Sequence, residues 1–390
     1  MRRVDRPTPL PDGAKLLHIG PPKTGTSALQ AAFHAARESL EAQGVHYVSR
    51  SANPLGLARS VALGRLASAP PRYQRRWDQV SRAFRSSPAR HAILSSEGFC
   101  AASAETAADI ATALGPDVHV LITLRPMTGL LPSIWQQITR EGNTDGYLSW
   151  LEDVLPATGP GHAMMRDFDP AHLLSVWGSA FGEDRVIFLC GDPRDRTAHL
   201  DATSELLGAP GALTLQPVRN ASPSFAEIEV LRHANLARAA AGAVASAGPW
   251  QKVMRKAGRE LGDHPTTSGG ERVRLPRWAV ERSNERTRRA VAALAASDAL
   301  VVGDPEHLLA DPQRYDAAVA VPTHVSVAVA GHVADVVARQ AVAEFGEPAA
   351  RRIRGLESRA ALVQDAPAAP DGVPAREVVS TLVRRVVRRG

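Results

Sequence analysis

The chain reads as an α/β protein: a central, mostly parallel sheet flanked by helices in three layers, with a helical C-terminal extension. Three stretches predict this. An apolar run at Leu16, Leu17 and Ile19 breaks at Gly20-Pro21-Pro22 and turns helix-like through Ala28, Leu29, Gln30, Ala31 and Ala32. Residues 118–124 are β-branched and nearly all apolar, as in a strand buried on both faces of a parallel sheet. Residues 92–95 supply a third strand between these two.

The other elements follow in chain order. Residues 1–14 are Pro-rich and expected to form a flexible tail. The first helix runs to about Glu41, and a short strand at 45–48 follows Gly44. Residues 50–90, rich in Arg, Ser and Pro, are expected to lay helices and loops over the sheet. Residues 140–170 mix Gly, Pro and polar residues with aromatics, the composition of a surface connection. A helix at 171–180, a turn at Gly182-Glu183-Asp184-Arg185 and a strand at 186–189 come next. A helix then begins after Arg219, with Ser222 or Ser224 as its cap. The main domain is placed at 15–320 and the extension at 321–390, with a linker near 365–374. After the linker, Val378, Val379, Leu382, Val383, Val386 and Val387 recur at helical spacing against Arg384, Arg385, Arg388 and Arg389. That basic amphipathic end suits an anionic membrane surface, its own domain or a partner subunit.

Composition narrows the class. The 390 residues are 44% hydrophobic, ample for a core, and carry a formal net charge of +6. That charge suits a phosphorylated ligand and equally a nucleic acid, so alone it decides nothing. Two cysteines give no disulfide framework. The N-terminus has basic residues without an apolar core segment, and no stretch reaches membrane-spanning length, so a cytoplasmic protein is expected. The 13 histidines are scattered without an H-x-x-x-H or E-x-x-H pattern, and no metal site is expected.

The chemistry concentrates at Lys23-Thr24-Gly25-Thr26-Ser27, between the first strand and its helix. Backbone N–H groups of a first helical turn point at an anion there, and the helix dipole favours negative charge. Gly20 and Gly25 keep the glycine spacing of G-x-x-x-x-G-K-[ST], but Thr26 stands where that nucleotide loop has its lysine. The lysine is Lys23, inside the loop.

PxKTGTSxLQ resembles the 5′-phosphosulfate loop of sulfotransferases that use 3′-phosphoadenosine 5′-phosphosulfate (PAPS), a P-loop-like fold. The resemblance implies that Lys23 contacts the oxygen bridging phosphate and sulfate, and that Thr24, Gly25, Thr26 and Ser27 bind the 5′-phosphate. It also implies a 3′-phosphate site made by an arginine at a strand end and a serine eight positions on, which Arg125 and Ser133 match. A guanidinium fork and a hydroxyl suit phosphate oxygens. The general base of the family, a glutamate or histidine, falls on Glu97 at the end of the third strand; a capping carboxylate is the alternative role, and His91 and His46 are alternative bases. The phrase from Trp177 to Val186 recurs in the family and reads as structural. Residues 140–170 would line the acceptor site. The basic glycine loop that closes over PAPS is unmatched, and Lys252, Arg255, Lys256 and Arg259 are either its substitute or a solvated helix face.

The implied function is in-line sulfuryl transfer from PAPS, without metal, to a hydroxyl or amine acceptor, with a carbohydrate or glycoconjugate favoured and no nucleic acid partner. A P-loop kinase or NTPase, and a non-catalytic nucleotide-binding phosphate loop, share the fold and stand as alternatives.

Overall fold

The computed structural model describes residues 1–159, 161–217, 222–242, 248–264 and 270–346. Seven strands form one sheet: β1 (Arg2–Val4), β2 (Lys15–His18), β3 (Val45–Tyr47), β4 (His91–Ser95), β5 (Val118–Thr123), β6 (Val186–Cys190) and β7 (Leu300–Gly303). Their order is β1-β7-β6-β5-β2-β4-β3, and every pairing is parallel. Thirteen α-helices accompany them among the described residues. They are α1 (Thr26–Ala35), α2 (Arg37–Ala42), α3 (Leu55–Ala62), α4 (Pro71–Arg85), α5 (Ala104–Leu114), α6 (Met127–Arg140), α7 (Tyr147–Val154), α8 (Pro170–Phe181), α9 (Ala198–Leu206), α10 (Phe225–Ala240), α11 (Gly248–Asp263), α12 (Arg277–Ala295) and α13 (Val327–Phe345). None of the described helices is long and apolar enough to cross a membrane.

The chain divides into two compact units. The first comprises Met1–Leu130, Val154–Val218 and Trp278–Arg314, and it contains the whole sheet. Its inner strands β2, β4, β5 and β6 are mostly apolar because both of their faces are covered. Leu17, Leu94, Val120 and Phe188 face one core with Phe84, Ile110 and Trp177 from α4, α5 and α8. Leu16, Ile93, Leu121 and Leu189 face the other with Leu29 and Phe33 from α1 and Leu200 from α9. Successive residues of a strand point to opposite faces, so each strand feeds both layers. Trp177 is fully buried and stacks on Phe181, a packing role as the sequence suggests.

Topology positions the site. From β2 the chain runs to β3 at the far edge, returns to β4 beside β2, then crosses to β5 on β2's other side. The carboxyl ends of β4, β2 and β5 therefore flank the point where the winding reverses, where open parallel sheets bind ligands.

The expected flexible tail at 1–14 is corrected. Arg2–Val4 forms an edge strand in register with Leu300–Val302, Leu10 is buried, and the Leu10 N–H donates to the Leu206 carbonyl. Three residues are too few for a period-2 pattern to register in sequence.

The second unit comprises the described parts of Leu131–Asp153, Arg219–Arg277 and Tyr315–Gly390. Trp135, Tyr147 and Phe225 form its aromatic centre, with ring centroids 4.9 to 5.9 Å apart. Ser224 and Glu227 cap α10 reciprocally, as Ser224 suggests. α13 packs against α10 and α11, so it is one layer of this unit and the boundary expected at 320/321 is not where the chain divides. The expected linker near 365–374 and the basic repeat beyond it lie outside the described residues.

Candidate functional site

The loop between β2 and α1 is fastened from below. A Cβ on Gly20 would lie 2.1 Å from Thr123 Oγ1 and 3.0 Å from the Thr123 nitrogen, so only glycine fits against the end of β5. Thr24 is buried, and its hydroxyl donates to the Pro21 carbonyl at 2.7 Å. That hydroxyl also lies 2.7 Å from Thr123 Oγ1, and with its own proton committed it is the acceptor there. The Thr24 side chain thus braces the loop from inside.

Lys23 and Gly25 take left-handed conformations, at φ 70° and 103°. Such a conformation costs a non-glycine residue on the order of 1 kcal/mol. Arg125 Nη1 holds the Lys23 carbonyl at 3.0 Å, which pins that turn to the second residue beyond β5. α1 has Gly25 as its N-cap, with no side-chain cap and no acid in its first turn. Its leading N–H groups are thereby left for an anion, with Ser27 exposed beside them and the Thr26 side chain turned inward against Gly20.

Glu97 opens a short 3-10 helix (Glu97–Ala101) beyond β4, two residues past Ser95, the register partner of His18. Its Oε2 accepts from Gln30 Nε2 of α1 and from Asn53 Nδ2, both at 2.8 Å. Asn53 is fixed in turn by Ser96 Oγ, which donates to its Oδ1 at 2.8 Å. Both amide donors use one carboxylate oxygen, so Oε1 carries no bond among the described residues. His91 and His46 belong elsewhere. His91 opens β4 and bonds the Ala14 carbonyl at 3.0 Å, and His46 pairs in register with Ala92. His91 is the first residue of β4 and His46 is level with the second, so neither reaches the carboxyl end of β4 where Glu97 lies.

Two further histidines flank the loop. His18 ends β2 fully buried, with Nδ1 2.7 Å from Ser95 Oγ, and burial lowers its pKa to about 3, with His199 adding a smaller push in the same direction. His199 is the second residue of α9, where desolvation lowers its pKa to about 4. Its Nε2 accepts from the Gly191 N–H at 3.4 Å, and a Cβ on Gly25 would lie 3.1 Å from its Nδ1. Gly25 is therefore favoured by its φ, and a side chain there would also press on this imidazole.

A cleft opens beside Thr24 and Arg125 within the first unit. Leu124, Met127, Leu130, Met165 and Phe168 give it apolar walls, and Arg286 of α12 reaches its lining. Met165 and Phe168 come from the 140–170 stretch. The Arg125 side chain also crosses the first turn of α6, within 2.9 to 3.1 Å of where a Gly129 Cβ would lie. Ser133 stands four residues further along α6, in the part of that helix belonging to the second unit. In the second unit Lys252 and Lys256 pair with Glu344 at 3.0 and 3.2 Å, as on a solvated helix face. Among the described residues no three His, Cys, Asp or Glu side chains gather as a metal site.

No family model, no curated protein and no solved structure matches the chain. Gln30, Asn53, Thr123, His199 and Arg286 escaped the sequence reading, since each acts through a partner distant in the chain. Only Gln30, inside the loop motif itself, carried a local signal.

Proposed function

We propose that the chain is a sulfotransferase that moves the sulfuryl group of PAPS to a hydroxyl or amine acceptor, of the carbohydrate or glycoconjugate class. One observation carries this reading: an uncapped helix N-terminus follows a loop whose lysine lies inside the turn, bonded through its carbonyl to Arg125. A nucleotide triphosphate loop would have lysine at position 26, after the second glycine, and Thr26 is there instead.

In this reading the N–H groups of Gly25, Thr26 and Ser27 hold the 5′-phosphate, with the Thr24 side chain as brace. Lys23 neutralises the charge that develops on the leaving phosphate oxygen. The bond from sulfur to the bridging oxygen breaks as the acceptor oxygen or nitrogen bonds to sulfur in line, and 3′-phosphoadenosine 5′-phosphate (PAP) departs. Glu97 takes the acceptor proton at Oε1, because Gln30 and Asn53 engage Oε2. Arg125 grips the 3′-phosphate, joined by Ser133 on the strength of their spacing.

The test is PAP release from PAPS in the presence of carbohydrate acceptors, with Lys23→Ala as the blank. Release that needs both an acceptor and Lys23 supports transfer. PAPS left intact with every acceptor, in a protein that also fails to bind PAP, removes the reading.

A further inference from the structure

Arg286 and Arg125 line one cleft, although they lie 161 positions apart and on different elements. Arg125 reaches it from just past the end of β5 and Arg286 from α12; these two are the basic side chains of its lining, and Asp169 is the acidic one. We infer that Arg286 is the second guanidinium of the 3′-phosphate site, and that it sets the preference for a 3′-phosphorylated donor; this rests on the donor reading above.

Several observations carry it. The basic residues of α11 lack the glycine-loop pattern, and two of them are engaged with Glu344. A phosphate dianion gripped by Arg125 alone would keep oxygens unmatched, whereas two guanidinium groups approaching from separate elements can share them. Arg286 is already held in place: its Nη1 donates to the Val154 carbonyl at 2.8 Å, so little side-chain entropy remains to be lost on binding. One turn away, Arg282 makes the matching bond to the Leu155 carbonyl at 2.9 Å and lies over the Trp278 ring, but it does not line the cleft. The two arginines therefore share an anchoring role and differ in access to the ligand.

That difference gives the control. PAP and AMP are titrated by calorimetry into the full chain, into Arg286→Ala, Arg286→Lys and Arg282→Ala. Arg286→Ala is expected to weaken PAP by about 10- to 100-fold and to leave AMP within about twofold, since AMP lacks the 3′-phosphate. Arg286→Lys should recover part of the loss, because it restores charge without the fork. Arg282→Ala should leave the ratio of PAP to AMP affinity unchanged. Equal losses for PAP and AMP in Arg286→Ala, or the same change in Arg282→Ala, would make Arg286 an anchor only and overturn the inference. Failure of the unaltered chain to bind PAP would instead remove the donor reading itself.

Discussion

Thr24 and Thr123 share a hydrogen bond of 2.7 Å between their hydroxyl oxygens, and with it the loop after β2 is tied to the end of β5. Gly20 passes directly over the same threonine. Loop conformation and strand register are consequently one unit, and the turn at Lys23 to Gly25 is preformed before any ligand arrives.

Gly20→Ala forces a methyl group onto Thr123 and should destabilise the chain by about 1–3 kcal/mol, measured by urea unfolding. Thr123→Ala alone leaves the Thr24 hydroxyl short of a donor, at a cost of about 1 kcal/mol. In the double variant the two costs should sum to more than the measured loss, because the oxygen that Gly20→Ala strikes is gone. Strict additivity would place the clash elsewhere.

Glu97→Gln tests the base. PAP release from PAPS should fall by about 100-fold or more while PAP affinity stays unchanged, because in the proposed mechanism the carboxylate meets the acceptor and not the donor. Undiminished release would exclude Glu97, and a matching fall in PAP affinity would mark it as part of the loop's support through Gln30.

Arg125→Ala removes the bond to the Lys23 carbonyl together with the proposed 3′-phosphate contact. PAP affinity should drop about 10- to 100-fold, beyond any loss for AMP. A loss equal for both nucleotides would assign Arg125 to holding the loop alone.

Acid should unfold the chain through its buried imidazoles. His18 and His199 titrate near 3 and 4 in the fold, against about 6.5 in an unfolded chain. Between those values the unfolded state binds more protons, so stability is full above about pH 6.5 and is lost as pH falls towards 4. Each group removes about 1.4 kcal/mol per pH unit within its window. His18→Asn keeps a polar atom near Ser95 and removes one titration, so urea midpoints measured from pH 7 to 4 should fall less steeply. An unchanged slope would mean that His18 is not the group protonated on unfolding.

The sheet was legible where strands are buried on both faces. β2, β4, β5 and β6 declare themselves as short apolar runs ended by a turn or a polar residue. β1 and β7 did not, because Arg2–Val4 is three residues at an edge and β7 stands as Leu300–Gly303 after a long helix. The loop motif, Glu97 and Arg125 could be named because each follows a recognisable strand. The supports of those residues could not. Asn53 meets Glu97 across 44 positions and Arg286 meets the Arg125 cleft across 161, separations at which composition and periodicity carry no signal. The second unit hid for a related reason: its helices come from three separate stretches of chain and cohere only through packing.

The central claim is a metal-independent donor site for PAPS at the β2–α1 loop. The most direct measurement is the melting temperature with PAP, with AMP and with magnesium-ATP at equal concentration, where a ligand at 100 times its Kd adds about 2.7 kcal/mol. The account predicts a large upward shift with PAP in the absence of metal and a smaller one with AMP. A shift confined to magnesium-ATP would make the chain a phosphotransferase instead, and no shift with any of the three would contradict the donor site altogether.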